Sequence, residues 1–271
     1  MYPDFPEGAP CWADARLPDV EAGKRFYGDL FGWTFDEGAG AERGYYTAAY
    51  GEDRAVGALA PGEAPGEAAW SVHFAVRDAY AAVERVTAAG GRVVAGPVSD
   101  GAVATVARAT GPEGAAFGLW QAGSHQGFER TRAPGALSHV QLRTPDTADS
   151  DPFYEAVFGY AAGHGVDDAA GHDADVPEPG LRHWRPSAPE GQAPRTGPPG
   201  LTRLHTPGEA PRFLLHFGVT AAEAACAEAA RLGGHVLVAP RNSPYGRIAV
   251  LRDDQGAEFA LWEAAGAPLR A

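Results

Sequence analysis

The stretch from Phe26 to Trp33 reads Phe-Tyr-Gly-Asp-Leu-Phe-Gly-Trp, and the stretch from Phe153 to Tyr160 reads Phe-Tyr-Glu-Ala-Val-Phe-Gly-Tyr. The two share their aromatic residues and the glycine that follows the second phenylalanine. A phrase that returns at a distance of this size is the mark of a duplicated structural unit. The chain is therefore predicted to consist of two homologous halves.

Two later blocks repeat as well. Gly-Gly-Arg-Val-Val from Gly90 returns as Gly-Gly-His-Val-Leu from Gly233, and Gly-Ala-Ala-Phe-Gly-Leu-Trp from Gly114 returns as Gly-Ala-Glu-Phe-Ala-Leu-Trp from Gly256. These blocks lie further apart than the first pair, so the second half must contain an insertion. We place it near residues 166–211, where Pro and Gly are frequent, and expect a long loop that flanks a cleft.

Each half is predicted to contain two strand-helix-strand-strand-strand units. In the first unit Pro10 to Leu17 alternates in polarity as a strand does, and Asp19 is a suitable N-cap for an amphipathic helix from Val20 to Phe31. The second unit begins at Trp70. This pattern divides the chain into an N-terminal domain of residues 1–124, a linker of residues 125–135 and a C-terminal domain of residues 136–271.

Composition narrows the class of protein. The 271 residues are 45% hydrophobic, which is enough for two cores of ordinary size, and no stretch approaches the length of a membrane span. The formal net charge of −13 argues against nucleic acid and anionic membranes as partners. Residues 1–10 lack the features of a signal peptide, and Cys11 and Cys226 do not occupy matching repeat positions. A cytoplasmic protein, monomer or homodimer, is expected.

Taken together, the repeated blocks resemble the vicinal oxygen chelate superfamily, which includes glyoxalase I, extradiol dioxygenases and bleomycin-resistance proteins. The resemblance rests on Pro18-Asp19 and Pro145-Asp146 after the first strands, the Phe-Tyr-x-x-x-Phe-Gly block, the Gly-Gly-x-Val turn and the Gly-x-x-Phe-x-Leu-Trp ending. It covers nearly the whole chain. It implies an α+β fold in which four βαβββ units form two open barrels, each around a cleft for a small molecule.

The resemblance also implies where a metal would be held. The family's ligand positions fall on residues that mostly cannot bind a metal, and only one of the six is a histidine: Trp12, Ser71, His139, Leu214, Gly118 and Ala260. A divalent ion normally needs three or more nitrogen or oxygen donors. No metal and no other cofactor is therefore predicted, and glyoxalase I or extradiol dioxygenase activity is not expected.

Alternation along strands predicts what lines the two clefts instead, because side chains two positions apart share a face. In the first barrel the inward set is Trp12, Asp14, Arg16, Ser71, His73 and Trp120. In the second barrel it is His139, Gln141, Arg143, His216, Glu258 and Trp262. Aromatic and ionisable groups together suit an organic ligand that carries polar groups.

One pair in the second barrel is predicted to be chemically active. If the first and last strands of a unit are antiparallel neighbours, Glu258 lies opposite His216. A carboxylate beside an imidazole raises its pKa and fixes its tautomer, as in a general base. The other interpretation is a pair that merely satisfies itself in the cleft wall. The pair and the insertion place the predicted working site in the second barrel, so His216→Ala should matter more than His73→Ala.

Two functional hypotheses follow. The first is a binding protein of the sequestering, resistance type that holds an aromatic or polycyclic metabolite or antibiotic without a metal. The alternative is a metal-independent enzyme of secondary metabolism that uses His216 and Glu258 for proton transfer, isomerisation, cyclisation or lyase chemistry. A binding protein needs no acid–base pair, whereas an enzyme should concentrate its ionisable groups in one barrel.

Overall fold

The computed structural model describes residues 5–36, 46–62, 64, 66–163, 180–186, 197–243 and 245–265. In the first half the elements are β1 (Pro10–Leu17), α1 (Val20–Phe31), β2 (Thr34–Phe35), β3 (Thr47–Gly51), β4 (Arg54–Pro61), β5 (Ala69–Ala75), α2 (Ala79–Ala88), β6 (Arg92–Asp100), β7 (Ala104–Thr110) and β8 (Ala116–Ala122). In the second half they are β9 (Leu137–Thr144), α3 (Thr147–Phe158), β10 (Ala161–Gly163), β11 (Leu181–Arg185), β12 (Gly200–His205), β13 (Arg212–Val219), α4 (Ala222–Arg231), β14 (His235–Ser243), β15 (Gly246–Arg252) and β16 (Glu258–Ala264). This is the α+β architecture of two tandem βαβββ pairs that the sequence predicts. Within these residues, no helix has the length and apolar character that a membrane span requires.

Each half forms one open sheet of eight strands. The order is β2-β3-β4-β1-β5-β8-β7-β6 in the first sheet and β10-β11-β12-β9-β13-β16-β15-β14 in the second. The central pairs β1–β5 and β9–β13 are antiparallel, whereas β1–β4, β5–β8, β9–β12 and β13–β16 are parallel. The expectation that the first and last strands of a unit are antiparallel is therefore wrong. A helical crossover returns the chain in its starting direction, and the two hairpins that follow reverse it twice.

The helices begin where the sequence indicates. Asp19 accepts a hydrogen bond from the backbone N–H of Ala22 and so caps α1, and Asp146 caps α3 in the same way. Gly32 ends α1 with a φ of 71°, a left-handed conformation that glycine adopts without steric cost. The repeated Phe-Gly phrase is thus the end of a helix in both halves.

The two halves share a continuous core rather than packing as separate bodies. Tyr27 of α1 donates a hydrogen bond to Asp253 of the second half (2.8 Å), and Tyr154 of α3 donates one to Glu113 of the first half (2.7 Å). The two tyrosines occupy matching positions of the repeat, and each donates to an acidic residue in the turn before the last strand of the other half. Aromatic pairs that cross between the halves include Phe31–Phe217, Phe74–Phe213, Phe117–Phe153 and Tyr27–Phe259.

The insertion differs from the long loop that was predicted for residues 166–211. Its described parts contain β11 and β12, which pair with each other and join the second sheet beside β9. These strands occupy the places that β3 and β4 hold in the first sheet. Leu201 and Thr202 of β12 are buried, so this part of the insertion belongs to the second sheet and is not a surface loop.

We expect deletion of residues 187–196, which join β11 to β12, to change the free energy of unfolding by no more than about 1 kcal/mol, since loop-closure entropy varies slowly with length. The remaining residues would form a short hairpin loop, which antiparallel strands accept readily. Thermal and urea unfolding of the deletion variant would measure this. A loss of several kilocalories per mole would instead show that the deleted residues belong to the core.

Candidate functional site

The first barrel encloses a cleft of about 960 Å³, a size typical of sites for small organic molecules. Its walls come from β1, β3, β4, β5, β6, β7 and β8 and from the residues after β8. Of the residues predicted to face it, Trp12, Asp14, Arg16, His73 and Trp120 line the cleft. Ser71 pairs with Asp14 across β1 and β5 but is not among the lining residues.

An aromatic wall stands on one side of this cleft. The ring of Trp12 lies edge to face with His125 at 4.4 Å between centroids and is tilted against Phe128 at 5.5 Å. Trp120 also meets His125, at 5.4 Å. Phe128 donates its backbone N–H to the carbonyl of Cys11. The start of the predicted 125–135 linker is therefore part of the cleft wall, and sequence reasoning missed His125 because no repeat marks it.

A buried, hydrogen-bonded pair of side chains forms the polar floor of this cleft. Nε2 of His73 lies 2.7 Å from Oδ2 of Asp14, and both residues are buried. The antiparallel register of β1 and β5, in which Trp12 faces His73, brings these neighbouring side chains together. Tyr46, which the sequence did not single out, accepts a hydrogen bond from Nε1 of Trp12 (2.5 Å) and is itself hydrogen-bonded to Asp14.

The charge state of this floor follows from its surroundings. Burial raises the pKa of Asp14, but the charge and hydrogen bond of His73 lower it, and so do the nearby guanidinium groups. The net result is a pKa below the usual value, so the group is a carboxylate at neutral pH. Burial, and then the negative charge of Asp14, hold the pKa of Tyr46 well above its usual range, which keeps it a phenol.

Because a carboxylate can only accept hydrogen bonds, Nε2 of His73 is the donor to Asp14. The other ring nitrogen, Nδ1, is buried and has no hydrogen-bond partner among the described residues. It lies over Gly118 of β8, where any Cβ atom would collide with it. The glycine at this position therefore makes room for the His73 ring.

In the second barrel, two histidines face each other across β9 and β13. His139 and His216 are paired in register, and their rings lie perpendicular at 5.4 Å between centroids. Nε2 of His139 hydrogen-bonds to the hydroxyl of Thr202 (2.7 Å), whereas Nε2 of His216 has no partner among the described residues. Burial lowers the pKa of His139 far below its usual range and that of His216 to about 3. Both imidazoles are therefore neutral at physiological pH.

The remaining predicted residues of this barrel are occupied by protein contacts. Arg143 binds Glu209 through two hydrogen bonds of 3.0 and 2.6 Å and donates a longer one to Gln141 (3.3 Å). Trp262 donates its indole N–H to the carbonyl of Tyr245 (2.8 Å). These contacts order one side of the barrel.

The predicted contact between His216 and Glu258 is wrong. In the parallel register of β13 and β16, His216 lies beside Ala260. Glu258 forms ion pairs with Arg212 (3.0 Å) and Arg252 (2.8 Å) instead. In antiparallel strands the residue numbers of partners have a constant sum, whereas in parallel strands they have a constant difference. The error in strand direction thus moved the carboxylate to the wrong place, and the buried acid–base pair, Asp14 with His73, lies in the first barrel.

The observed registers of β9, β13 and β16 also change which residue of β13 stands at the family's metal-ligand position: it is His216, and not Leu214. Leu214 pairs with Gln141, whereas His216 pairs with His139, so the second barrel has two histidines in this row and Ala260 next to them. The matching row of the first barrel is Trp12, His73 and Gly118. In the parts of the chain that the structure describes, no three or more His, Cys, Asp or Glu side chains form a group suited to a metal ion. The donors among these described residues therefore do not fit a three-ligand site in either barrel.

Sequence comparisons agree with this architecture. The family described as Glyoxalase/Bleomycin resistance protein/Dioxygenase superfamily matches residues 12–119 and 136–261. The anthracycline biosynthesis protein DauV of Streptomyces sp. (strain C5) is 34% identical over 278 residues, covering 96% of this chain and 94% of that protein. The putative glyoxylase CFP32 of Mycobacterium bovis is 35% identical over 270 residues, covering 95% of each.

Solved structures show the same fold at low identity. The 2,3-dioxygenase LapB from Pseudomonas sp. KL28 has a TM-score of 0.63 at 16% identity, covering 98% of this chain and 96% of that chain. The Mn(II)-bound glyoxalase from Novosphingobium aromaticivorans has a TM-score of 0.60 at 15% identity, covering 98% and 90%. The fold, the matches in both halves and the full-length relatives together establish that this chain belongs to the Glyoxalase/Bleomycin resistance protein/Dioxygenase superfamily.

Proposed function

We propose that this protein binds a planar polycyclic aromatic metabolite in the cleft of the first barrel, without a metal, and sequesters it during secondary metabolism. The observation that carries the proposal is a single cleft of about 960 Å³ that combines an aromatic wall with a buried polar floor. The names of two relatives support the ligand class, since DauV and DnrV are both called anthracycline biosynthesis proteins.

The walls suit such a ligand. Trp12, Trp120 and His125 present ring faces and edges within one cluster, and aromatic rings prefer offset or edge-to-face neighbours of this kind. Arg16 and Arg108 also line the cleft and supply N–H donors for carbonyl or phenolate oxygens. A flat aromatic body with oxygen substituents on one edge satisfies both sets of groups.

A second function deserves a test because of the His73–Asp14 pair. With Nε2 donating to the carboxylate, Nδ1 is the nitrogen that lacks a hydrogen-bond partner among the described residues. Nδ1 is buried over Gly118, so a role as general base requires the ring to turn towards the cleft when the ligand binds. It would then take a proton from an acidic C–H or O–H of the ligand and return it at another position of the same molecule. Such an isomerisation needs no oxidant or reductant. The catalytic pair of this alternative is His73 with Asp14, in place of His216 with Glu258.

We expect Asp14→Asn and Trp120→Leu each to weaken binding of an anthracycline aglycone by about tenfold or more, which corresponds to about 1.4 kcal/mol. His216→Gln, the matched control in the other barrel, should leave the affinity unchanged. Quenching of tryptophan fluorescence would measure binding, and melting temperatures would verify folding. If His216→Gln abolishes binding and the first-barrel variants do not, the site lies in the second barrel, as the sequence predicted.

Incorporation of deuterium into the same aglycone distinguishes a protein that only binds it from one that isomerises it. Incubation in D₂O followed by mass spectrometry reports whether carbon-bound hydrogen exchanges with solvent. A sequestering protein leaves the ligand undeuterated, whereas an isomerase labels it. His73→Gln should then retain binding and stop labelling if His73 is the base. Labelling that persists in His73→Gln would contradict this role.

A further inference from the structure

Three neighbouring strands of the second barrel bring three positions into one row. The antiparallel register of β9 and β13 sets His139 beside His216, and the parallel register of β13 and β16 sets His216 beside Ala260. Residues that pair across adjacent strands project to the same face of a sheet. The row therefore presents two imidazoles and one methyl group to the same side.

Imidazole nitrogens are common ligands of divalent transition-metal ions. Nε2 of His139 is hydrogen-bonded to the hydroxyl of Thr202 (2.7 Å), so a metal ion would compete with that contact. His216 is only 4% exposed, and its Nε2 has no hydrogen-bond partner in the described part of the chain. A buried nitrogen that forms no hydrogen bond is unusual in proteins and requires an explanation.

Among the residues that the structure describes, no nearby carboxylate completes the row. Ala260 is fully buried and offers no donor atom. Glu258, two residues earlier on the same strand, is bound by Arg212 and Arg252, and Glu209 is bound by Arg143. A divalent transition-metal ion held by two histidines lacks the third protein ligand that such sites normally have.

The first barrel provides an internal comparison. Its equivalent row contains a single histidine, His73, whose Nε2 is bound to Asp14 and whose ring lies over Gly118. A side chain at position 118 would collide with that ring. The first barrel thus has a hydrogen-bonded His–Asp pair in this row, whereas the second has two adjacent imidazoles without a hydrogen bond to any carboxylate of the described residues.

We infer that the second barrel contains an incomplete site for a divalent transition-metal ion, formed by His139 and His216, and that Ala260 is the position whose side chain prevents stable binding. This inference concerns the other barrel and a different class of ligand, so it does not depend on the proposed binding of an aromatic metabolite.

The test uses Co²⁺ as the probe, because its visible absorption reports coordination by protein ligands. Ala260→Glu, and the shorter Ala260→Asp, should bind one equivalent of Co²⁺ with an affinity about 100-fold higher than that of the wild type, since each adds the missing carboxylate. Ala260→Gln, of the same size but uncharged, is the matched control and should gain much less. Adding His216→Ala or His139→Ala to Ala260→Glu should remove the gain, whereas adding His73→Ala should not.

Several outcomes would overturn the inference. Tight stoichiometric Co²⁺ binding by the wild type would show that the site is already complete. A folded Ala260→Glu or Ala260→Asp protein without a gain would show that the row does not form a coordination site. If neither variant folds, weak Co²⁺ binding by the wild type provides the test. This binding should disappear in His139→Ala and in His216→Ala and persist in His73→Ala, and any other pattern would contradict the inference. Binding of the anthracycline aglycone is measured in the presence of a chelator, so its result does not depend on whether the metal inference is correct.

Discussion

Acidification from about pH 7.5 to about pH 5 should lower the free energy of unfolding by about 2 kcal/mol through His216 alone. Burial, and secondarily the charge of Arg143, lowers the pKa of His216 from 6.5 to about 3 in the folded protein. Below pH 6.5 the unfolded chain binds a proton at this residue and the folded chain does not. The stability that is present above pH 6.5 is therefore lost progressively as the pH falls towards 3. His139 is shifted in the same direction, so its effect adds to this one.

The variant that checks this result is His216→Leu. It removes one titrating group and also the buried nitrogen without a partner. It should therefore reduce the dependence of stability on pH, leaving the part due to His139, and keep stability at neutral pH close to that of the wild type. Urea unfolding in the presence of a chelator, at several pH values, would measure the slope. His235 is exposed, and His235→Gln serves as the control with an unchanged slope. An unaltered slope in His216→Leu would mean that other groups cause the acid sensitivity.

Replacement of Asp151 by alanine should destabilise the protein by about 3–5 kcal/mol, because it leaves a buried cation without its counter-charge. The guanidinium of Arg203 donates two hydrogen bonds to Asp151, of 2.9 and 2.5 Å, and both side chains are largely buried. Arg182 adds a third contact to the same carboxylate (2.7 Å). These bonds join α3 to β11 and β12, the two strands within the insertion.

Glu155→Ala provides the matched control. Glu155 also binds Arg182 (2.7 Å), but its side chain is 37% exposed, and exposed ion pairs contribute about 1 kcal/mol or less. Denaturant unfolding of the two variants under identical conditions would compare the costs. If Asp151→Ala and Glu155→Ala lose the same free energy of unfolding, burial of Arg203 is not the cause of the destabilisation. Together with the deletion of residues 187–196, these two variants distinguish the contribution of strands β11 and β12 to the free energy of unfolding from that of the residues that join them.

Part of the candidate site could be predicted because it depends on local rules. Alternation along β1 correctly placed Trp12, Asp14 and Arg16 on the cleft. The rule needs only the two-residue period of a strand. The same rule placed His73 and Trp120 there. Tyr46 and His125 were missed, since one precedes a short strand and the other lies in the presumed linker, and no periodic pattern marks either of them.

The duplication, the Asp19 cap of α1 and the face of β1 that lines the cleft were determined by the sequence alone, because each depends on residues a few positions apart or on direct comparison of two stretches. Only the tertiary structure decided which side chains meet. The parallel register of β13 and β16 sets His216 beside Ala260 and away from Glu258, and the packing of β1 on β5 joins His73 to Asp14. Strand direction and register result from backbone hydrogen bonds between distant segments and from the shared core. A wrong direction, or a register shifted by one residue, changes every predicted cross-strand pair.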